Sequence, residues 1–173
     1  MQRLILFRHA KAERQAPSGE DFDRDLTERG RRDAALMGKV LAERGYGPDL
    51  ALVSTARRTR STWDELSGDA LSGALDQTEV QYIEALYNAP ARLLLQSAAQ
   101  AKAAGTVIVI AHNPGLHEAS IGLVQQGSAS DAGLKGLRSG MPTATAGVFD
   151  FIEGRPRLVD WLLARDFGGG GGE

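Results

Sequence analysis

Two of the chain's three histidines close short apolar runs, each beside a group suited to holding an anion. Leu4 to Phe7 leads into Arg8 and His9, and Val107 to Ala111 leads into His112, Asn113, Pro114 and Gly115. A third run, Leu50 to Val53, leads into Ser54 and then Arg57 and Arg58. Phosphoryl transfer needs such parts: a nucleophile in line with the leaving group and positive donors around the equatorial oxygens. His9 can attack as a neutral imidazole, while Arg8 and Arg58 hold oxygens through charge-assisted bonds. His112, just before a helix start, adds a donor, and the helix N-terminus favours the same negative charge. Each histidine taken alone reads as a structural residue, but their shared placement at strand ends favours chemistry. His117 is five residues beyond His112, not the four that align a zinc pair on one helix face, and reads as an ordinary helix residue.

The three apolar runs lack polar alternation, which predicts buried parallel strands. Ligands of open α/β sheets bind beyond the carboxyl ends of such strands, so the three endings should meet at one site. Helical periodicity fills the intervals. Thr27 is the expected N-cap of a helix carrying Ala34, Met37 and Leu41 on one face, with Gly45 as its stop. Ala56 to Leu66 is the second helix, stopped near Gly68. Pro90, at a first-turn position, opens a third, with Leu94 and Ala98 on one face, ending near Gly105. Asn113 and Pro114 form an N-cap and first-turn pair for a fourth, running to about Gln126. On the second helix Arg58 and Thr62 share a face, whereas Arg57 and Arg60 lie on another side with Asp64, so Arg58 is the expected clamp.

Val148 to Phe151 and Leu158 to Trp161, joined across Glu153-Gly154-Arg155-Pro156, read as a hairpin extending the sheet at an edge. Gly127 to Gly147 is small, polar and glycine-rich, either a mobile loop beside the site or a long connection. Asp21, Asp23, Arg24 and Asp25 read as a charged surface loop, with a cover over the site as the alternative. The element order predicts a single-domain α/β protein of three layers, α/β/α, with a mostly parallel sheet over residues 1–167. Residues 168–173 are expected to be a flexible Gly-rich tail.

Composition removes several function classes. A formal net charge of -2 over 173 residues gives no general electrostatic case for nucleic acid or a membrane surface, so any anion site is local. With Cys 0 there is no disulfide, thiolate metal site or cysteine nucleophile. The Leu4 to Phe7 run is too short for a signal peptide or a membrane span, and a cytoplasmic protein is expected. No metal is expected either, because Arg and His supply the positive charge.

Four stretches, in order, resemble the histidine phosphatase superfamily: Leu6 to Ala12, Asp23 to Gly30, Ser54 to Thr62 and Ala111 to Leu116. The chain is most similar to the short phosphohistidine phosphatase branch of the SixA type, from near residue 4 to about 163. The resemblance implies a phosphoglycerate mutase-like fold and a phosphohistidine intermediate on His9, with Arg8, Arg58 and His112 completing the phosphate pocket. It also implies a leaving-group acid, for which Glu84 stands at about the expected place. Ala10, Thr55, Thr59 and Ala111 depart from the family pattern, all as small substitutions that bear on backbone packing. A P–N substrate asks less of a general acid than an alkyl phosphate, because protonated phosphohistidine leaves as neutral imidazole. The expected activity is therefore metal-independent dephosphorylation of a phosphohistidine-bearing protein, for example a histidine-containing phosphotransfer domain. A phosphatase for a small phosphate ester and a non-catalytic phosphate-binding module are the alternatives.

Overall fold

Apolar strands without a polar face must be covered on both sides, and these three become the parallel centre of a sheet between two helical layers. The computed structural model describes residues 1–68, 77–101 and 103–170. In it β1 is Arg3–Arg8, β2 Leu50–Ser54, β3 Glu79–Ile83 and β4 Thr106–Ala111. With β5 (Ser128–Ala129), β6 (Thr145–Ile152) and β7 (Arg155–Leu163) the sheet order is β3-β2-β4-β1-β6-β7-β5. The first four of these strands run parallel, and β6 is antiparallel to both β1 and β7.

Successive side chains of a strand face opposite sides, so β1 feeds two cores at once. Ile5 and Phe7 pack with Met37 and Leu41 of α1 (Glu28–Glu43) and Trp63 of α2 (Arg57–Leu66). Leu4 and Leu6 pack with Leu94 of α3 (Ala91–Gln100), Leu116 of α4 (Gly115–Gln126) and Leu137 of α5 (Asp131–Arg138). The fold is thus a mostly parallel α/β/α sandwich. Among the described residues no helix is long and apolar enough to cross a membrane.

Thr27 caps α1 as its sequence suggests, its hydroxyl accepting from Gly30 N–H at 3.0 Å, and Gly45 stops the chain with φ +71°. Asn113 does not cap α4. Pro114 holds that position, and the Asn113 amide instead donates to the Met141 carbonyl at 2.9 Å. α3 ends at Gln100, short of Gly105.

The Gly127 to Gly147 stretch is neither a mobile loop nor a bare connection, since it holds β5, α5 and the start of β6. Ser130 caps α5 by accepting from Gly133 N–H, and Leu137 is buried, so a short amphipathic helix forms despite two internal glycines. The hairpin turns through Glu153 and Gly154, both at positive φ, and β6 lies inside the sheet with β5 at the edge beyond β7. β3 escaped notice in the sequence because it is an exposed edge strand without an apolar run. Of the expected tail, Gly168–Gly170 fold back: Gly169 N–H donates to Ala164 O and Gly170 N–H to Asp33 in α1. Residues 171–173 lie outside the described residues.

Candidate active site

A parallel strand pair delivers its carboxyl ends to the same edge, and β1 and β4 are in register from Arg3 with Thr106 to Arg8 with Ala111. His9 and His112, the next residue of each, therefore emerge side by side, with ring centroids 5.3 Å apart. The His9 N–H donates to Ala111 O, which carries the pairing one step past the strand. From β2 the chain turns through Ser54 into α2, whose first turn carries Arg58 toward the same place.

Thr62 ties that helix to β1. Its hydroxyl donates to the Arg58 carbonyl and accepts from Ala10 N–H at 3.0 Å, so one side chain fixes Arg58 against His9. Arg58 is buried, with 3% of its side chain exposed, whereas Arg57 faces solvent and pairs with Asp25. The helix phase read from the sequence is the one observed. Thr59, where the family pattern has a smaller residue, fills its place with a hydroxyl in reach of the Ser54 and Ala56 carbonyls, both at 2.7 Å. Ala10 and Ala111 are both fully buried.

His9 Nδ1 is 2.8 Å from the Ala10 carbonyl. A carbonyl can only accept, so Nδ1 carries the proton and Nε2 the lone pair. Burial holds this imidazole well below its usual pKa, and the cations of Arg58 and Arg8 act in the same direction, so it is neutral at pH 7. His112 Nε2 is 2.8 Å from Ser54 Oγ, while its Nδ1 is buried without a partner among the described residues. Burial, then the nearby Arg58 charge, push the His112 pKa down to about 3. Arg8 Nε and Arg58 Nε are likewise buried without partners. Two guanidinium N–H groups and one imidazole nitrogen without partners among the described residues thus belong to side chains that line one cavity of about 570 Å³.

Four of the five expected site residues, Arg8, His9, Arg58 and His112, line that cavity. Glu84 is not among them. It lies exposed in the short Glu84–Leu86 turn after β3, and Asn88, four residues on, reaches the cavity instead.

Asp21 is the main residue that sequence reasoning missed. Expected in a surface loop, it lines the cavity and grips Arg58, whose Nη1 donates to Asp21 O at 2.7 Å and Nη2 to its carboxylate at 3.0 Å. The same carboxylate accepts from Tyr87 O–H at 2.7 Å and from Arg24 Nε at 2.8 Å. Those bonds, Tyr87 first and the Arg58 charge next, hold its pKa down at about 2. Tyr87 also stacks edge-on against His112 and Phe22, so a single aromatic joins the carboxylate to the histidine. A sequence signal did exist: a clamp guanidinium that becomes buried requires an anionic partner, and the acidic loop from Asp21 to Asp25 could have supplied one. The remaining lining residues, Lys11, Ala12, Arg14, Arg24, Asn113 and Thr143, surround this core.

His117 is structural, its Nε2 bonding the Leu137 carbonyl at 2.9 Å. Among the described residues no group of three or more His, Asp or Glu gathers as a metal set.

Comparison with known proteins agrees with this geometry. An uncharacterized protein of Mycobacterium leprae is 30% identical over 154 residues, covering 86% of this chain and 88% of that one. An uncharacterized chloroplastic protein of Arabidopsis thaliana is 36% identical over 87 residues, 50% of this chain but only 39% of that longer protein. Among solved structures, a proposed phosphohistidine phosphatase SixA from Agrobacterium tumefaciens superposes with a TM-score of 0.80 at 34% identity, over 94% of this chain and 97% of that one. The family model described as histidine phosphatase superfamily (branch 1) matches residues 4–89, a span that includes Arg8, His9 and Arg58. With His112 brought beside them by β4, this chain belongs to the histidine phosphatase superfamily.

Proposed function

We propose that the protein removes the phosphoryl group from phosphohistidine on a protein, through a covalent intermediate on His9. Nε2 of His9 attacks phosphorus while the P–N bond of the substrate breaks, and the substrate ring, protonated on its other nitrogen, leaves as neutral imidazole. As His9 becomes positively charged, its Nδ1–H bond to the Ala10 carbonyl strengthens. Arg8, Arg58 and His112 hold the equatorial oxygens, with Ser54 donating to His112 Nε2 and so placing the proton on Nδ1. Water then attacks phospho-His9. The second P–N bond breaks, His9 returns to neutral imidazole, and phosphate departs with the protons of water.

The observation that carries the P–N substrate is the state of the cavity's acid. Asp21 is the one carboxyl group among the described lining residues, and at a pKa of about 2 it is ionised at neutral pH. An ionised carboxylate cannot protonate an alkoxide leaving group, but a protonated phosphohistidine needs no such donor. The cavity is also open enough for a protein side chain to enter.

The test is phosphate release from a phosphorylated histidine-containing carrier protein against a panel of sugar and nucleotide phosphates, each with excess EDTA. Turnover of the carrier, unchanged by the chelator, is expected. High kcat/KM on a sugar phosphate with none on the carrier would transfer the reading to a small-ester phosphatase. Release from no substrate would favour a phosphate-binding module.

A further inference from the structure

Four rings lead in sequence from the nucleophile to the surface. His9 and His112 have ring centroids 5.3 Å apart, Tyr87 meets His112 edge-on at 5.5 Å, and Phe22 meets Tyr87 edge-on at 5.1 Å. Both histidines are buried, Tyr87 is half-buried and Phe22 is 37% exposed. Among the described residues the other large apolar side chains left exposed are Tyr82, Ile121 and Ile152, and none of them is next in sequence to a residue of the cavity. Phe22 follows Asp21 and Tyr87 precedes Asn88, both of which line it. The two outer rings therefore stand at its rim.

They are also held there. Tyr87 O–H donates to the Asp21 carboxylate at 2.7 Å, and the same carboxylate accepts from Arg58 and Arg24. Phe22 is the middle residue of the short Asp21–Asp23 turn, which is closed by Asp23 N–H to Glu20 O at 3.2 Å and Arg24 N–H to Asp21 O at 3.3 Å. A T-shaped contact engages one face of one ring only, so Phe22 keeps an aromatic face for another partner. With a phosphoryl group seated among Arg8, Arg58 and His112, the part of the substrate that passes the rim is the group from which phosphorus is being removed.

Resting on the phosphohistidine reading above, we infer that Phe22, backed by Tyr87, receives the imidazole ring of the substrate phosphohistidine and so separates a ring-bearing substrate from a ring-free phosphate. A flat heteroaromatic ring packs on an aromatic face, and when protonated it gains cation–π attraction as well. This contact forms before the P–N bond breaks and is not strengthened by the breaking. It therefore acts on KM and not on kcat.

The experiment compares the full chain with its Phe22→Leu and Phe22→Tyr variants on a phosphohistidine peptide, with inorganic phosphate as a ring-free competitive inhibitor. Phe22→Leu keeps apolar bulk but loses the aromatic face, so KM should rise about three- to tenfold with kcat near wild type. The inhibition constant of phosphate should not change, and Phe22→Tyr should stay within about twofold of wild type in KM. An unchanged KM in Phe22→Leu, or an equal rise in Phe22→Tyr, would overturn the inference. So would a fall in kcat or weaker inhibition by phosphate in Phe22→Leu, either of which would make Phe22 a prop for Asp21 and Arg58. In all these cases the wild-type protein still turns over the peptide, and the phosphohistidine reading stands. No turnover of the peptide by the wild-type protein, with turnover of phosphate esters, would overturn both.

Discussion

At the carboxyl ends of β1, β2 and β4 the site is made of side chains, whereas on the side of β6 it is made of main chain. Arg8 ends β1, and His9, Arg58 and His112 follow parallel strands. The segment entering β6 contributes the Met141 carbonyl, which accepts from Arg8 Nη1 at 2.7 Å, and Ala144 N–H, which reaches the Arg8 and His9 carbonyls at 3.2 and 3.1 Å. Parallel strands repeat the same edge and so gather side chains from distant parts of the sequence. The antiparallel half adds the backbone that holds those side chains at their angle. Chemistry and aim are thus divided between two regions.

The largest break in that division should come from His9→Ala. Loss of the proposed nucleophile should reduce turnover by at least about a thousandfold, while circular dichroism stays native because, among the described residues, the side chain's hydrogen bond is to the Ala10 carbonyl alone. Rapid quenching of the wild-type protein should trap acid-labile, base-stable phosphate on His9. Near-normal turnover in a folded His9→Ala protein would remove the covalent mechanism.

Arg58→Ala comes next. A charge-assisted bond is worth about 1.5 to 3 kcal/mol, so kcat/KM should fall roughly ten- to hundredfold, and Arg58→Lys should also be impaired for want of the planar fork. Arg57→Ala removes an exposed pair with Asp25 and should change kcat/KM by less than about threefold. Equal losses would mean that Arg58 does not hold the phosphoryl group.

The same division explains what could be read from sequence. β1, β2 and β4 were legible because unbroken apolar runs admit few other fates, and Arg8, His9, Arg58 and His112 because they follow such runs or share a helix face with Thr62. Asp21 was hidden because its loop has the composition of a solvated surface, and its role exists only once Arg58 is buried against it. Met141 and Ala144 act through backbone atoms, which no side-chain pattern reports. α5 was obscured by Gly133 and Gly136, although Ser130 and Leu137 carried its cap and its apolar face.

In the antiparallel half the effects should fall on stability. A Cβ at Gly136 would meet Trp161 Cδ1 at 2.6 Å, so Gly136→Ala should cost about 1 to 3 kcal/mol, as overpacking commonly does. That corresponds to a Tm lower by roughly 2 to 12 °C for a chain of this size, with kcat of the folded protein near wild type. A drop in kcat as large as that of Arg58→Ala, at unchanged Tm, would show that this half does more than hold the site.

Acid should separate the two halves as well. Between its ordinary pKa of 6.5 and its folded value of about 3, His112 binds a proton in the unfolded chain and not in the folded one, so stability falls as pH is lowered through that window. His9, also depressed, acts in the same direction. Asp21 adds its own loss later, as pH drops from 3.8 toward about 2. The urea midpoint should therefore decline from about pH 7 to about pH 4, and His112→Asn should flatten the decline. An unchanged slope in that variant would assign the acid sensitivity elsewhere.

Glu84→Gln should have the smallest effect, and it sharpens the comparison from the parallel side. Glu84 follows β3, the one strand of the parallel set whose end brings no side chain to the cavity before Asn88. A leaving-group acid at Glu84 would make Glu84→Gln slow alkyl phosphate hydrolysis more than phosphohistidine hydrolysis, because only an oxygen leaving group needs a proton delivered. With Glu84 exposed outside the cavity and Asp21 ionised inside it, neither rate should change by more than about twofold. A selective loss on the alkyl phosphate of about tenfold or more would restore Glu84 as the acid, and would require the Glu84–Leu86 turn to move toward His9 when substrate binds.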